Sequence, residues 1–186
     1  MNSAAFLKDT ETRMEKALDV LRGQLKGLRS GRATPAMLDA IRVEYYGSMT
    51  PINQMANVSA PDPASLLIKP YDAGALKEIE KAIRSSDLGL APNNDGKVIR
   101  LNIPAMSGDQ RKKLVQQIKK LAEDAKVSCR NIRRDGNKAF ETAEKDKKIT
   151  EDDLTKGKEK VQDLLKSYEG KIDDLADKKS KEVMEG

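Results

Sequence analysis

The densest run of potential chemistry in the chain is Arg130-Asn131-Ile132-Arg133-Arg134-Asp135. A guanidinium is planar, permanently charged and donates through a fixed fork. Arginine therefore suits phosphate oxygens and base edges better than the point charge of lysine does. Lys126, Arg130 and Arg133 stand at steps of four and three, which puts them on one face of a helix, displaced from a stripe containing Ala125 and Ile132. Three arginines within five residues point toward nucleic acid. The same run also reads as a solvated helix face with i,i+4 ion pairs, and the residues alone leave both readings open.

Other chemistry is sparse. The chain has no His and no Trp, so zinc sites, Ser–His triads and His acid–base pairs lose their usual residue. Neither GxxxxGK[ST] nor GxGxxG occurs, and Gly157-Lys158 is followed by Glu within a helical pattern. Asn93-Asn94-Asp95-Gly96 begins like a calcium loop, but the later acidic residues do not complete one; it reads as a hairpin turn. Glu151-Asp152-Asp153 reads as the acidic first turn of a helix rather than as a metal site or paired carboxylates. Tyr45-Tyr46 offers two rings that could stack on bases, and reads rather as one ring in the core and one on the surface. Cys129 is alone, which excludes an intrachain disulfide, and reads as a small packed residue. No catalytic residue, metal ligand or cofactor is expected, and the chain reads as non-enzymatic.

The prolines decide which elements position the arginines. All seven (Pro35, Pro51, Pro61, Pro63, Pro70, Pro92, Pro104) lie between residues 35 and 104. Proline in a helix interior costs roughly 3 kcal/mol, so the flanks are free to form long helices and the middle is not. Leu7, Met14, Leu18, Leu21, Leu25 and Leu28 make one helical stripe. Ser107, three residues before Gln110, marks a second helix start, followed by Leu114, Ile118, Leu121, Ala125, Ile132 and Ala139. Thr150 with Asp153 marks a third, followed by Leu154, Val161, Leu165, Tyr168, Ile172, Leu175 and Val183. Three narrow stripes with a tight turn near residues 147–149 predict an antiparallel three-helix bundle with a left-handed twist. Gly23, Gly27, Gly136, Gly157 and Gly170 interrupt these helices; close backbone approach accounts for some of them.

Between the first two helices, short strands and turns predict a small inserted α/β domain, giving an α+β fold. Ile41, Val43 and Tyr45 alternate before Gly47; Leu66–Lys69 is a compact apolar run; Leu76, Ile79, Ala82 and Ile83 have helical spacing; Asn94-Asp95-Gly96 turns into Val98–Ile103. The expected division is 1–30 plus 106–186 for the bundle and 31–105 for the insertion. The two connections, at 30–35 and 104–108, form a hinge with restricted directions, carried by Gly31, Arg32, Pro35, Pro104 and Gly108.

Charge is unevenly divided along these parts. Residues 107–149 carry thirteen basic and seven acidic side chains, whereas residues 150–186 carry eight and eleven, so the positive field belongs to the second helix. Charged residues form 35% of the chain and aromatics 3%, a balance suited to long solvated helices. The first residues lack a secretory or transit pattern, and no apolar stretch approaches the roughly eighteen residues a membrane span needs. A cytoplasmic location without membrane contact is expected.

Several motifs in order resemble the ribosome recycling factor family: Ser30-Gly31-Arg32-Ala33-Thr34-Pro35 with Leu38-Asp39; Val43-Glu44-Tyr45-Tyr46-Gly47 with Thr50-Pro51; Ser86-Asp87-Leu88-Gly89-Leu90 with Pro92-Asn93; Ile99-Arg100; Arg111-Lys112; and the Arg130–Asp135 run. The resemblance implies an L-shaped pair of domains. It also implies a monomeric factor that binds the post-termination ribosome between its subunits. With elongation factor G and GTP, such a factor separates the subunits and releases mRNA and deacylated tRNA. It further implies that Arg130 and Arg133, helped by Arg134 and Arg29, contact large-subunit rRNA; Lys126 joins them by its place on the same face. The inserted domain would be the part the elongation factor pushes. Ser107-Gly108-Asp109-Gln110, Cys129 and Gly136 depart from the family pattern, and Gly136 is expected to soften the helix near the arginines. The rival expectation is a helical-bundle adaptor or holdase, which apolar side chains exposed beyond the needs of one bundle would favour.

Overall fold

Helical periodicity and the absence of proline produce three long helices. α1 spans Ser3–Lys26, α4 spans Gly108–Lys145 and α5 spans Glu151–Glu185. The computed structural model describes residues 2–185; Met1 and Gly186, which the expected domain bounds include, lie outside the described residues. One compact unit joins the chain up to Arg29 with Gly108–Glu185, and the other is Ser30–Ser107.

In the bundle, Met14, Leu18, Leu21 and Leu25 of α1 meet Ile118, Ala122, Ala125, Cys129 and Ile132 of α4 and Leu165, Tyr168, Ile172 and Val183 of α5. Cys129 is fully buried, and burial pushes its thiol above the ordinary range. The turn from α4 to α5 passes through Lys147 at φ 57°. Thr150 and Asp153 then close it reciprocally: the Asp153 N–H donates to Thr150 Oγ1 at 3.1 Å and the Thr150 N–H to Asp153 Oδ2 at 3.1 Å. α4 runs unbroken through Gly136, where α1 comes so near that a Cβ would lie 2.9 Å from Thr10 Oγ1. A Cβ on Gly157 of α5 would overlap the Phe140 ring of α4. Close approach thus accounts for these two glycines, while Gly23 and Gly170 face open space.

The inserted unit is built around an antiparallel sheet of order β3-β4-β6-β5, formed by Ala56–Asp62, Ser65–Pro70, Ile99–Asn102 and Pro92–Asn94. A hairpin of β1 (Arg42–Tyr45) and β2 (Ser48–Pro51), a single turn α2 (Ile52–Met55) and the helix α3 (Leu76–Arg84) cover it. The hairpin turns at Tyr46 (φ 48°) and Gly47 (φ 77°), the left-handed pair of a two-residue loop. Leu66, Ile68, Ile79, Ile83, Ile99 and Leu101 form the centre of its core. Tyr45 packs on that core and donates to Asp72 Oδ2 at 2.5 Å, while Tyr46 is 88% exposed. Asp95 holds the β5–β6 turn by accepting from the N–H groups of Lys97 and Val98.

Candidate nucleic-acid interface

α4 presents its arginines on a stiff, continuous helix whose opposite side is buried by α1 and α5. The structure turns Lys126, Arg130 and Arg133 together toward α5. Lys126 Nζ lies 2.6 Å from Asp173 Oδ1. Arg130 Nη1 lies 3.0 Å from Glu123 Oε1, and its Nε lies 3.4 Å from Glu169 Oε1. Arg133 Nη1 donates to Gln162 Oε1 at 3.2 Å, and its buried Nε finds no acceptor among the described residues. These contacts form a ladder along the α4–α5 groove. Glu123 first, and Glu169 with it, hold the Arg130 guanidinium above its ordinary pKa.

Arg134 points elsewhere. It is exposed and makes no ion pair among the described residues, and its neighbour Asp135 is taken by Arg13 of α1 at 2.7 Å. The arginine run therefore divides: Arg130 and Arg133 lie along a groove with counter-charges, and Arg134 stands free on the outward face. Arg29 lies beyond the end of α1 at Lys26. The Arg13–Asp135 pair sets the antiparallel register of α1 on α4. Sequence reasoning missed Glu123, Glu169, Asp173 and Gln162. Three of them sit on α5, and nothing local to α4 signals them.

Of the connecting residues, Gly31 has φ 78°, and a Cβ there would lie 3.0 Å from the Met106 side chain. Arg32 and Pro104 are exposed, Pro35 opens a 3-10 turn (Pro35–Leu38), and Gly108 begins α4. Two backbone bonds tie the connections to the turn between β3 and β4: the Ala33 N–H donates to Pro63 O at 2.8 Å and the Ile103 N–H to Ala64 O at 2.7 Å.

Exposed apolar side chains in the bundle are single residues on three helices, Val20, Val127 and Met184, and form no stripe. No described helix is long and apolar enough to cross a membrane, and no group of His, Cys, Asp or Glu among the described residues could hold a metal ion.

A three-helix bundle with a basic second helix and an inserted sheet unit defines a two-unit α+β protein whose charged face, rather than a cleft, is its distinguishing feature. The chain belongs to the ribosome recycling factor family, whose model matches residues 21–184. It is 49% identical over 180 residues to the ribosome-recycling factor of Symbiobacterium thermophilum, covering 97% of each chain. Against that of Halalkalibacterium halodurans it is 50% identical over 183 residues, covering 98% of this chain and 99% of the relative. A solution structure of the ribosome recycling factor covers 100% of this chain and 99% of its own at 35% identity, with a TM-score of 0.78. A second structure describes a T. thermophilus ribosome recycling factor and E. coli elongation factor G bound to the E. coli post-termination complex. It matches 98% of this chain and 99% of its own at 42% identity, with a TM-score of 0.65.

Proposed function

We propose that this protein recycles ribosomes: it binds the post-termination ribosome between the subunits and, with elongation factor G and GTP, drives their separation and the release of mRNA and deacylated tRNA. The observation that carries this reading is near-identity of length with ribosome-recycling factors at about half identity throughout, so that both units and both connections are shared. The role is mechanical and not enzymatic, and the protein works as a monomer in the cytoplasm. The α4 face holds large-subunit rRNA through charge-assisted contacts to phosphates, with Arg134 exposed for first contact and Arg130, Arg133 and Lys126 completing the grip from the α5 groove. Arg29 contributes from nearer the base of the bundle. The translocase supplies the free energy and acts on the inserted unit. Because Ala33 and Ile103 are tied to that unit, the pivot narrows to 30–32 and 104–108, with Gly31, Arg32, Pro104 and Gly108 as its moving residues and Pro35 just inside the inserted unit.

The test is a sucrose-gradient assay of subunit splitting with post-termination ribosomes, with and without elongation factor G and GTP. Splitting is expected only when all are present. Arg133→Ala should weaken ribosome binding while circular dichroism and melting stay near wild type. Normal splitting by this variant at limiting concentration would remove Arg133 from the site. Absence of any association with large subunits at low ionic strength would overturn the function itself.

A further inference from the structure

Two of the α4 cations that face α5 already have carboxylate partners inside the protein. Lys126 Nζ is 2.6 Å from Asp173 Oδ1, and the Arg130 guanidinium lies between Glu123 Oε1 at 3.0 Å and Glu169 Oε1 at 3.4 Å. Arg133 meets only the neutral amide of Gln162, at 3.2 Å, and the exposed Arg134 enters no ion pair among the described residues. Counter-charge therefore falls along the face, from Lys126 and Arg130 through Arg133 to Arg134. Helix packing does not need these carboxylates. Ile118, Ala125 and Cys129 of α4 share one apolar core with Leu165, Tyr168 and Ile172 of α5. The side chains of Asp173 and Glu123 are 55% and 57% exposed, and ion pairs so open to solvent add little to stability.

We infer that Glu169 and Asp173 of α5, with Glu123 of α4, are internal stand-ins for phosphate that limit the grip of Lys126 and Arg130 on RNA, so that the protein can leave a ribosome on which it has acted. This rests on the ribosome-binding reading above and adds residues that touch the cations rather than the RNA.

Electrostatics fix the sign of the effect. A phosphate oxygen bound at about 3 Å to either cation sits within about 6 Å of a carboxylate bound to the same cation at a similar distance, and the two negative charges repel. Lys126, whose side chain is only 19% exposed, has to give up Asp173 to reach outward. Arg130 uses Nη1 and Nε for its carboxylates, and its Nη2 makes no bond among the described residues. Nη2 can donate to a phosphate without releasing Glu123 and Glu169, but one positive charge then faces three negative groups. A cation that exchanges a carboxylate for a phosphate also leaves that carboxylate to gather a counterion, which cancels one counterion released from the RNA. Affinity and its salt dependence both fall.

The rival role for the same contacts has the opposite sign. Carboxylates that served to hold the guanidinium in its binding position would save side-chain entropy on association, and their removal would weaken binding. The direction of the change therefore decides between restraint and positioning.

The experiment measures binding of the full-length protein to purified large ribosomal subunits across a salt series. One variant carries Glu169→Gln and Asp173→Asn. A second carries Glu123→Gln alone, which leaves the α4–α5 contact untouched. The control carries Asp9→Asn and Asp174→Asn, with the same change in net charge as the double variant; both carboxylates are exposed. The double variant should bind at least about fivefold more tightly near 0.1 M salt, with a log–log salt slope steeper by about one to two, and should dissociate more slowly by a similar factor. Glu123→Gln should tighten binding by about two- to threefold, and the control should stay within about twofold of the unmodified protein. In the splitting assay with elongation factor G and GTP, the double variant should match the unmodified protein when in excess over ribosomes and fall behind when ribosomes are in excess, because release limits only the second case. Unchanged turnover by a tighter-binding variant would overturn the link to release. Binding no tighter than that of the control would overturn the inference while leaving ribosome binding, still sensitive to Arg133→Ala, in place. No binding by the unmodified protein would instead overturn the reading on which the inference stands.

Discussion

In the bundle, three helices hide one seam that runs their whole length, and each contributes a narrow stripe. In the inserted unit, the buried side chains of Ser30–Ser107 come from short strands, single turns and one two-turn helix, and no element buries more than a few of them. A seam spreads a loss over neighbouring turns. A small mixed core does not, because each side chain closes the same cavity. Ile68, fully buried on β4, and Ile118, fully buried on α4, offer matched probes. Ile68→Ala should cost about 2–5 kcal/mol and raise amide exchange across β4, β6 and α3 together. Ile118→Ala should raise exchange in the adjoining turns of α4 first. Identical patterns in the two variants would erase the distinction.

The bundle is most sensitive where backbones touch. Gly157 and Gly170 lie on one helix, yet the first meets the Phe140 ring and the second meets nothing within 4 Å. Gly157→Ala should therefore destabilise by about 1–3 kcal/mol through overpacking. Gly170→Ala should stabilise by about 0.5–1 kcal/mol, as expected for removing a glycine from an exposed helix interior. Denaturant melts of the two variants give the signs directly. Adding Phe140→Leu to Gly157→Ala should recover part of the loss, and failure to do so would place the strain elsewhere. An effect below that of Gly157→Ala is expected at the cap between α4 and α5: Thr150→Ala should lower stability by about 1 kcal/mol, since Asp153 loses its reciprocal partner.

The long helices were legible because their period and their lack of proline are properties of contiguous sequence. Leu18, Ile118 and Ile172 could be assigned to a core without knowing their partners. β4, β6 and α3 were legible from apolar runs bounded by turn residues. β3 was not: in Ala56-Asn57-Val58-Ser59-Ala60-Pro61-Asp62 the alternating apolar residues are mostly small and Pro61 argues against a strand, and it exists as an edge strand paired only to β4, where Pro61 is tolerated. The same limit applied to the basic site. The types and spacing of Lys126, Arg130 and Arg133 are local, but Glu169 is 39 residues from Arg130 and reaches it only through inter-helix register. At Gly136, α4 is continuous and Thr10 of α1 fills the space beside it, a contact that the sequence of α4 does not signal.

Two carboxylates, one in each unit, are held low by different kinds of partner. In the bundle, Glu141 is held below its ordinary pKa first by the hydrogen bond from Lys158, 2.5 Å away, and by that same charge. In the inserted unit, Asp95 is held low first by the backbone N–H of Val98 and then by that of Lys97. Both are depressed on folding. Each therefore contributes stability that is present above its unfolded pKa and is lost as pH falls through the folded one. Salt distinguishes the causes. Counterions screen an exposed ammonium, with a Debye length of about 3 Å at 1 M, but leave a backbone N–H bond in place. In NMR titrations, raising salt from about 0.1 to 1 M should return Glu141 toward the ordinary carboxylate range while Asp95 stays low. A salt-driven rise at Asp95 as large as that at Glu141 would mean that its turn is held by neighbouring cations such as Lys97 and Arg100 rather than by the main chain, and the contrast between these two carboxylates would not hold.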